Sequence, residues 1–343
     1  MKYSSKDLID FASNDYLGFS KNKTVSDEIF ENKSIFEEVE KFIATFHQTE
    51  SALIFNSEKD ANFVFFTSIP QKGDLILFDE LCHSSIRDAI LLSNAKSHPF
   101  DHNDFEDLEK LILNYSPKNQ ETNTIYIITE SVFSMDGDTP NLEELAQFSQ
   151  KHHCNLVIDE SNSLGVFGSK GEGLIQILGM QDDCFARIMT FENALGCSGA
   201  AIVGSNKMKS NVLQLSRSSK YSSEHSTVFL ATILKAYQQL ESEKHSLESL
   251  RENCIHFNQE LYLLGLKPLF VRSKSAIQSA IITGDQNVKR IAHQLQEKGF
   301  DVKVLLSPEV PEGLERLRFC LHSYNSKEEI SEVLRLLSDL IFS

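Results

Sequence analysis

Two apolar runs with the composition of buried strands end where side chains able to do chemistry begin. The runs are residues 124–129 and 155–159, and residues 141–152 between them have helical spacing. Strand, helix and strand in this order form the βαβ unit of a parallel sheet. Acidic or hydroxyl side chains follow each run, and ligands of open α/β sheets bind at the carboxyl ends of strands. The pattern therefore predicts site loops at residues 130–138 and 159–165.

Other elements must position these loops, and hydrophobic periodicity predicts them along the chain. Helical spacing is found at residues 34–46, 60–66, 84–95, 227–264 (one long helix or a helix pair), 288–298 and 327–342. Short apolar or strand-like runs are found at residues 52–55, 75–78, 187–191, 200–203, 276–283, 302–306 and 316–321. We therefore expect a large α/β domain at residues 1–235, including the N-terminal segment, and a smaller C-terminal α+β domain at residues 236–343.

The composition argues against several classes of protein. The chain has 343 residues, of which 41% are hydrophobic, enough to bury a sizeable core. Its formal net charge is −16 and no basic stripe is present, so we expect no nucleic-acid partner. No apolar run approaches the ~20 residues of a membrane-spanning helix, and the N-terminus has no signal-peptide pattern. The six cysteines are scattered, so we expect reduced thiols, a cytoplasmic location and no metal site.

Longer motifs identify a family. They are FASNDYLGFS (11–20), DELCHSSIRDAILLSNAK (79–96), FDHNDFEDLEKL (100–111), TESVFSMDGDTPNLEEL (129–145), VIDESNSLGVFGSKGEGL (157–174) and VPEGLERLRFCLHSYNSKEEI (310–330). Together they closely resemble the α-oxoamine synthases over nearly the whole chain. The likeness is greatest to the members that act in biotin synthesis.

This resemblance implies a fold and a chemistry. The family consists of fold-type-I, aspartate aminotransferase-like proteins that bind pyridoxal 5'-phosphate, with a mixed, mostly parallel sheet in the large domain. They form homodimers with shared active sites. They join an amino acid to an acyl thioester with loss of carbon dioxide, and the biotin-pathway members use L-alanine and a pimeloyl thioester. The chemistry requires a lysine that forms a Schiff base with the cofactor and an aspartate that keeps its pyridine nitrogen protonated.

Some of these parts are present. Asp159 matches the aspartate of the family's DEAH motif, and His83 matches the histidine that stacks on the cofactor ring. Ser134 and Asp136 lie in a loop where the family contacts cofactor and substrate. Residues 136–138 are explained equally well as a turn without a ligand.

The cofactor lysine is missing. The family's T-F-G-K-x-x-G motif reads TFENALG (190–196) here, so the resemblance implies Thr190 as a cofactor-binding residue, and Asn193 stands at the lysine position. An amide nitrogen is not nucleophilic, so it cannot form a covalent aldimine or move the α-proton. The histidine of the DEAH motif, which the family places at the cofactor's phenolic oxygen, is Asn162.

The phosphate loop also departs from the family. Ser57, Glu58 and Lys59 replace Ser-Gly-Tyr, and Glu58 brings a side chain and a negative charge to the place of a dianion. Lys59 offsets part of that charge. Ser222 and Ser223 are candidate hydroxyl donors in place of two threonines that the family takes from the partner subunit. A glycine-rich segment that shapes the family's substrate pocket is missing before residue 34.

Three interpretations follow. The chain is a catalytically silent relative that pairs with itself or with an intact paralogue. Alternatively, it is an active enzyme that holds the cofactor without a covalent link or recruits another lysine, such as Lys59 or Lys220. In the third interpretation it is a structural or ligand-binding module that uses the vacated pocket for another anion.

Overall fold

The chain forms two compact units. The computed structural model describes residues 8–21, 35–115, 123–216 and 225–342. Of these, the larger unit takes the described residues within 35–133 and 139–242, and the smaller unit takes residues 8–21, 134–138 and 243–342.

Strands and helices alternate along most of the chain. In chain order the strands are β1 (Ile9–Phe11), β2 (Ser51–Phe55), β3 (Leu75–Asp79), β4 (Lys96–Phe100), β5 (Ile125–Glu130), β6 (Asn155–Asp159), β7 (Cys184–Thr190), β8 (Ala200–Gly204), β9 (Ile277–Ile281), β10 (Phe300–Leu305) and β11 (Arg316–Cys320). The helices are α1 (Ile35–Phe46), α2 (Glu58–Ser68), α3 (Ser84–Leu91), α4 (Phe105–Tyr115), α5 (Leu142–Lys151), α6 (Leu174–Ile177), α7 (Asn206–Leu215), α8 (Thr227–Ser242), α9 (Lys244–Leu263), α10 (Asp285–Glu297) and α11 (Lys327–Phe342).

The larger unit is built on a seven-stranded sheet with the order β2-β8-β7-β6-β5-β3-β4. Neighbouring strands from β7 to β4 are all parallel. Strand β8 is antiparallel to both of its neighbours, β2 and β7. The sheet is therefore mixed and mostly parallel, which confirms the predicted fold class.

The central strands of this sheet are buried on both faces. In β3, Ile76 packs into the core on one face, whereas Leu75 and Leu77 pack into the core on the other. Helices α2, α3 and α7 cover the first face, and α4, α5 and α6 cover the second. Because successive strand residues point to opposite faces, a strand covered on both sides is apolar throughout. This is why the central strands are recognisable as continuous apolar runs.

The smaller unit contains a four-stranded sheet with the order β1-β10-β11-β9. The short strand β1 pairs in parallel with β10, and the other two pairings are antiparallel. Helix α10 packs on β10, and α11 packs on α9. This unit therefore combines strands from both ends of the described chain.

The predicted helical region 227–264 is a pair of helices. They separate at Glu243, whose backbone (φ −90°, ψ 67°) is not helical. The residue-235 boundary expected from the sequence lies inside α8, and the two units divide after Ser242. None of the helices in the described ranges is long and apolar enough to cross a membrane.

Candidate active site

The carboxyl ends of the parallel strands meet at one edge of the larger sheet. Strand β3 leads to His83, β6 ends at Asp159 and β7 ends at Thr190, while Glu130 at the end of β5 is in register with Asp159. Strand β2 points the same way, because β8 is antiparallel to both β2 and β7, and it leads to Glu58. The predicted candidates of the larger unit therefore gather at the edge where ligands of such sheets bind.

Asp159 is a buried carboxyl group with one oxygen satisfied. The residue is 4% exposed. Its Oδ1 accepts a hydrogen bond from the backbone N–H of Ser161 at 2.8 Å. Its Oδ2 is buried and has no hydrogen-bond partner among the described residues. Since an unpaired buried polar atom costs free energy, this oxygen is open to a hydrogen-bonding partner from beyond the described residues.

Glu58 forms a cluster with His83 and Ser85. Its Oε1 lies 3.1 Å from Nδ1 of His83 and accepts a hydrogen bond from Ser85 Oγ at 2.6 Å. The amide of Asn62, one turn along α2, donates to the same oxygen at 3.4 Å. The backbone N–H of His83 donates to Oε1 of Glu130. The side chain of Glu58 is only 18% exposed, so its charge is held inside the site.

The ionisable groups of this cluster shift one another's pKa values. The hydrogen bond and negative charge of Glu58 raise the pKa of His83, although burial acts against them. Burial acts to raise the pKa of Glu58, but the hydrogen bond and charge of His83 outweigh it and lower that pKa. Burial, followed by the negative charge of Glu58, raises the pKa of Asp159 to about 7. The site thus favours a charged Glu58–His83 pair and opposes ionisation of Asp159.

The N-terminus of α2 already has a side-chain cap and negative charges from the chain itself. Ser57 caps the helix, because its Oγ accepts from the backbone N–H of Asp60 at 3.1 Å. Glu58 and Asp60 add two acidic side chains to the first turn, where they complement the positive end of the helix dipole. Lys59 is exposed. A helix start that elsewhere suits a phosphate here carries the chain's own carboxylates.

Asn193 and Asn162, which stand at two altered family positions, are joined by a hydrogen bond. The amide nitrogen of Asn193 donates to Oδ1 of Asn162 at 3.1 Å and to the carbonyl oxygen of Ser161 at 2.9 Å. The amide of Asn162 donates to the carbonyl oxygen of Val132 at 3.3 Å. The two amides are therefore fixed by one hydrogen bond between them and by bonds to backbone carbonyl oxygens.

Ser161, which was not predicted as a site residue, organises this part of the site. Its Oγ accepts from the backbone N–H of Thr190 at 3.0 Å. Its own N–H donates to Asp159, and its carbonyl oxygen accepts from the amide of Asn193. Thr190 is buried, and its Oγ1 donates to the carbonyl oxygen of Gly199. Its place in the sequence could have indicated it, because Ser161 lies between the predicted site residues Asp159 and Asn162. Ser85 was signalled in the same way, two residues after His83.

Ser134 and Asp136 belong to the smaller unit. The carbonyl oxygen of Ser134 accepts from Arg318 at 2.6 Å. The carboxylate of Asp136 is buried and makes two hydrogen bonds with Arg316, at 2.9 and 3.0 Å. Gly137 has a φ of +73°, and a Cβ there would lie 2.1 Å from the carbonyl oxygen of Ile277. Residues 136–138 therefore form a structurally required turn. Ser222, Ser223 and Lys220 lie outside the described residues.

Pyridoxal 5'-phosphate, the cofactor that the resemblance implies, fits this site at one end only. The open Oδ2 of Asp159 suits a protonated pyridine nitrogen. At the phosphate end, the partly buried carboxylate of Glu58 opposes a dianion. At the lysine position, the amide of Asn193 offers no amine to form a covalent bond. Among the described residues, the ring contact is kept, whereas a carboxylate lies at the phosphate end and an amide stands at the lysine position.

Comparisons with known proteins agree with the fold and the motifs. Residues 6–337 match the family model described as aminotransferase class I and II. The 8-amino-7-oxononanoate synthase of Emericella nidulans is 32% identical over 96% of this chain and 88% of its own length. A putative 8-amino-7-oxononanoate synthase of Bacillus cereus is 30% identical over 94% of this chain and 84% of its own length.

Solved structures show the same relationship. The crystal structure of 8-amino-7-oxononanoate synthase from Francisella tularensis has a TM-score of 0.84 at 26% identity, with 98% of this chain and 99% of that chain covered. A serine palmitoyltransferase from S. paucimobilis with a bound PLP–myriocin aldimine has a TM-score of 0.85 at 22% identity, with coverage of 97% and 87%, and shares the fold. The chain therefore belongs to the class I and II aminotransferase family and, within it, to the α-oxoamine synthases.

Proposed function

We propose that this chain is a catalytically silent relative of 8-amino-7-oxononanoate synthase. The observation that carries the proposal is the pair of hydrogen bonds from the amide of Asn193 to Ser161 and Asn162. These bonds fix an amide at the position where the family has its lysine. Its nitrogen lone pair is delocalised into the carbonyl group, so it is neither a nucleophile nor a base.

A turnover assay tests this proposal directly. The purified chain is incubated with pyridoxal 5'-phosphate, L-alanine and a pimeloyl thioester, and the condensation product is measured by mass spectrometry. We expect no product from the wild type. Steady turnover by the wild-type chain would refute catalytic silence.

A spectroscopic titration separates the loss of the lysine from the loss of the pocket. Asn193→Lys restores an amine, and Asn193→Gln is the matched control that lengthens the side chain without one. We expect an absorbance band from a covalent cofactor–lysine link in Asn193→Lys only. The same band in the wild type, or in Asn193→Gln, would point to another lysine.

We also propose that the chain is cytoplasmic and forms dimers, either with itself or with an intact paralogue. All six cysteines are free, which suits a reducing compartment. Light scattering of the purified chain, together with co-purification from the native cell, distinguishes self-pairing from mixed pairing. A strictly monomeric chain with no co-purifying relative contradicts the dimer proposal.

A second candidate function is an active enzyme that holds the cofactor without a covalent link or through a recruited lysine. The open Oδ2 of Asp159 favours it, because this oxygen still suits a pyridine nitrogen. Lys59, exposed on the first turn of α2, is a candidate for recruitment. Borohydride reduction in the presence of cofactor, followed by peptide mapping, identifies a modified lysine. Absence of any modified site lysine removes the recruited-lysine form of this candidate.

A further inference from the structure

At the Asp159 end of the site, one carboxyl oxygen is open to a ligand. The Oδ2 atom of Asp159 is buried and has no partner among the described residues, although the rest of the carboxyl group is fixed by Ser161. A ring nitrogen can share one proton with such a group in two ways: a protonated carboxyl donates to a neutral nitrogen, or a carboxylate accepts from a protonated nitrogen. A ring made only of carbon atoms can do neither, because it offers no nitrogen lone pair and no N–H group.

The other end of the site is already filled by an anion. Glu58 is the first residue of α2, and its carboxylate receives hydrogen bonds from Ser85 and Asn62 and contacts Nδ1 of His83. The positive end of the helix dipole therefore has an internal negative partner. A phosphate group placed at this helix start would lie close to the carboxylate, and the two negative charges would repel each other.

The other charged groups at this edge of the sheet do not offset the repulsion between Glu58 and a phosphate group. Glu130 is a further acidic side chain at this edge, and like Asp159 it is buried. Among the described residues, the cations that influence the pKa values of this cluster, besides His83, include Lys59 near Glu58 and Arg87 near His83. Both are exposed, so solvent screens them more than the buried carboxyl groups.

We propose that this site binds an aromatic nitrogen heterocycle without a phosphate group, with its ring nitrogen at Asp159 and with Glu58 in the place of the phosphate. The inference rests on the proposed function, because it names the ligand class of the silent site. Unphosphorylated forms of the B6 ring are the simplest members of this class.

Pyridoxine and pyridoxine 5'-phosphate are suitable probes, because they differ only in the phosphate and have no aldehyde to react with lysines. Calorimetry on the full-length chain measures both affinities. We expect pyridoxine to bind at least about tenfold more tightly than its phosphate. The carbocyclic analogue 2,3-bis(hydroxymethyl)-6-methylphenol, which differs from pyridoxine only in having a CH group in place of the ring nitrogen, should bind at least about tenfold more weakly than pyridoxine.

Two matched variants assign the selectivity to Glu58. Glu58→Gln removes the charge but keeps an acceptor for Ser85, and it should bring the two affinities to within a few-fold of each other. Asp60→Asn removes an equal charge from the same helical turn at an exposed position and should leave the wild-type ratio unchanged. Circular dichroism verifies that both variants fold.

Tighter binding of the phosphate, equal affinities, or no binding of pyridoxine to the wild type would each overturn the inference. The wild-type comparison does so even if Glu58→Gln fails to fold. Because the probes cannot take part in turnover, these results are independent of the assay for catalytic silence. A chain that turns over substrate but selects pyridoxine refutes the proposed function and leaves the ligand preference standing.

Discussion

Replacing Asp159 with asparagine tests whether this buried carboxyl group lowers the stability of the chain. Burial and then the charge of Glu58 raise its pKa from the ordinary 3.8 to about 7. At ~1.4 kcal/mol per pH unit, the ionised form costs the folded state on the order of 4 kcal/mol. Below pH 3.8 the group is protonated in both the folded and unfolded states, so the cost is absent. It grows as the pH rises and is complete above about pH 7.

The assay is urea unfolding of the wild type and Asp159→Asn at about pH 5 and about pH 8, on either side of the folded pKa. Far-ultraviolet circular dichroism reports the transition, since the chain has no tryptophan. The quantity compared is the free energy of unfolding of the variant minus that of the wild type. We expect this difference to be roughly 3 kcal/mol more positive at the higher pH. The cost of burying the new amide is the same at both values and cancels. An equal difference at both pH values, or a larger one at pH 5, would refute the reasoning.

Three further predictions concern single side chains and are checked by thermal unfolding. Asp136→Ala leaves Arg316 buried without its carboxylate and should cost about 3 kcal/mol, so an unchanged melting temperature contradicts the role of this pair. Gly137→Ala adds a methyl group 2.1 Å from a backbone oxygen at a φ of +73°, and we expect loss of the native transition; a wild-type curve would show that the turn can relax. Ser57→Ala removes the acceptor for the N–H of Asp60 and should cost about 1 kcal/mol, whereas a cost near zero means that water replaces the cap.

Strands buried on both faces were predictable from the sequence, because each is a continuous apolar run. Strand β6 has the predicted bounds, and β5 starts one residue later than expected. Strand β4 was missed, since KSHPF is polar and contains a proline. It lies at the edge of the sheet, where a missing N–H donor is tolerated. Helices α4 and α7 were also missed, although Asp104 and Ser205 accept hydrogen bonds from their first turns.

The positions of the site residues could be predicted, but not their hydrogen bonds. Asn193 was located by its spacing from Asp159 within known motifs. The contact between Glu58 and Ser85 joins residues 27 apart in the chain, and no local pattern encodes such a distance. The bond between Asn193 and Asn162 spans 31 residues and is equally invisible in the sequence. Side-chain pairing of this kind depends on the order of strands in the sheet, which only the fold supplies.

The polar groups of the site differ in how fully they are hydrogen-bonded within the chain. The amides of Asn193 and Asn162 bond to each other, and Glu58 is held by neighbouring donors, whereas Oδ2 of Asp159 has no partner among the described residues. A group that costs stability and has no internal partner is best explained by a ligand, because binding offsets the cost. If a ring nitrogen shares the proton of Asp159, the folded complex holds one proton that the unfolded chain and the free ligand have released. Saturating pyridoxine should therefore increase the fall of wild-type stability between about pH 5 and about pH 8, because the fall then continues above the folded pKa of about 7. If the pH dependence is the same with and without pyridoxine, the open oxygen of Asp159 is a cost that this ligand class does not relieve.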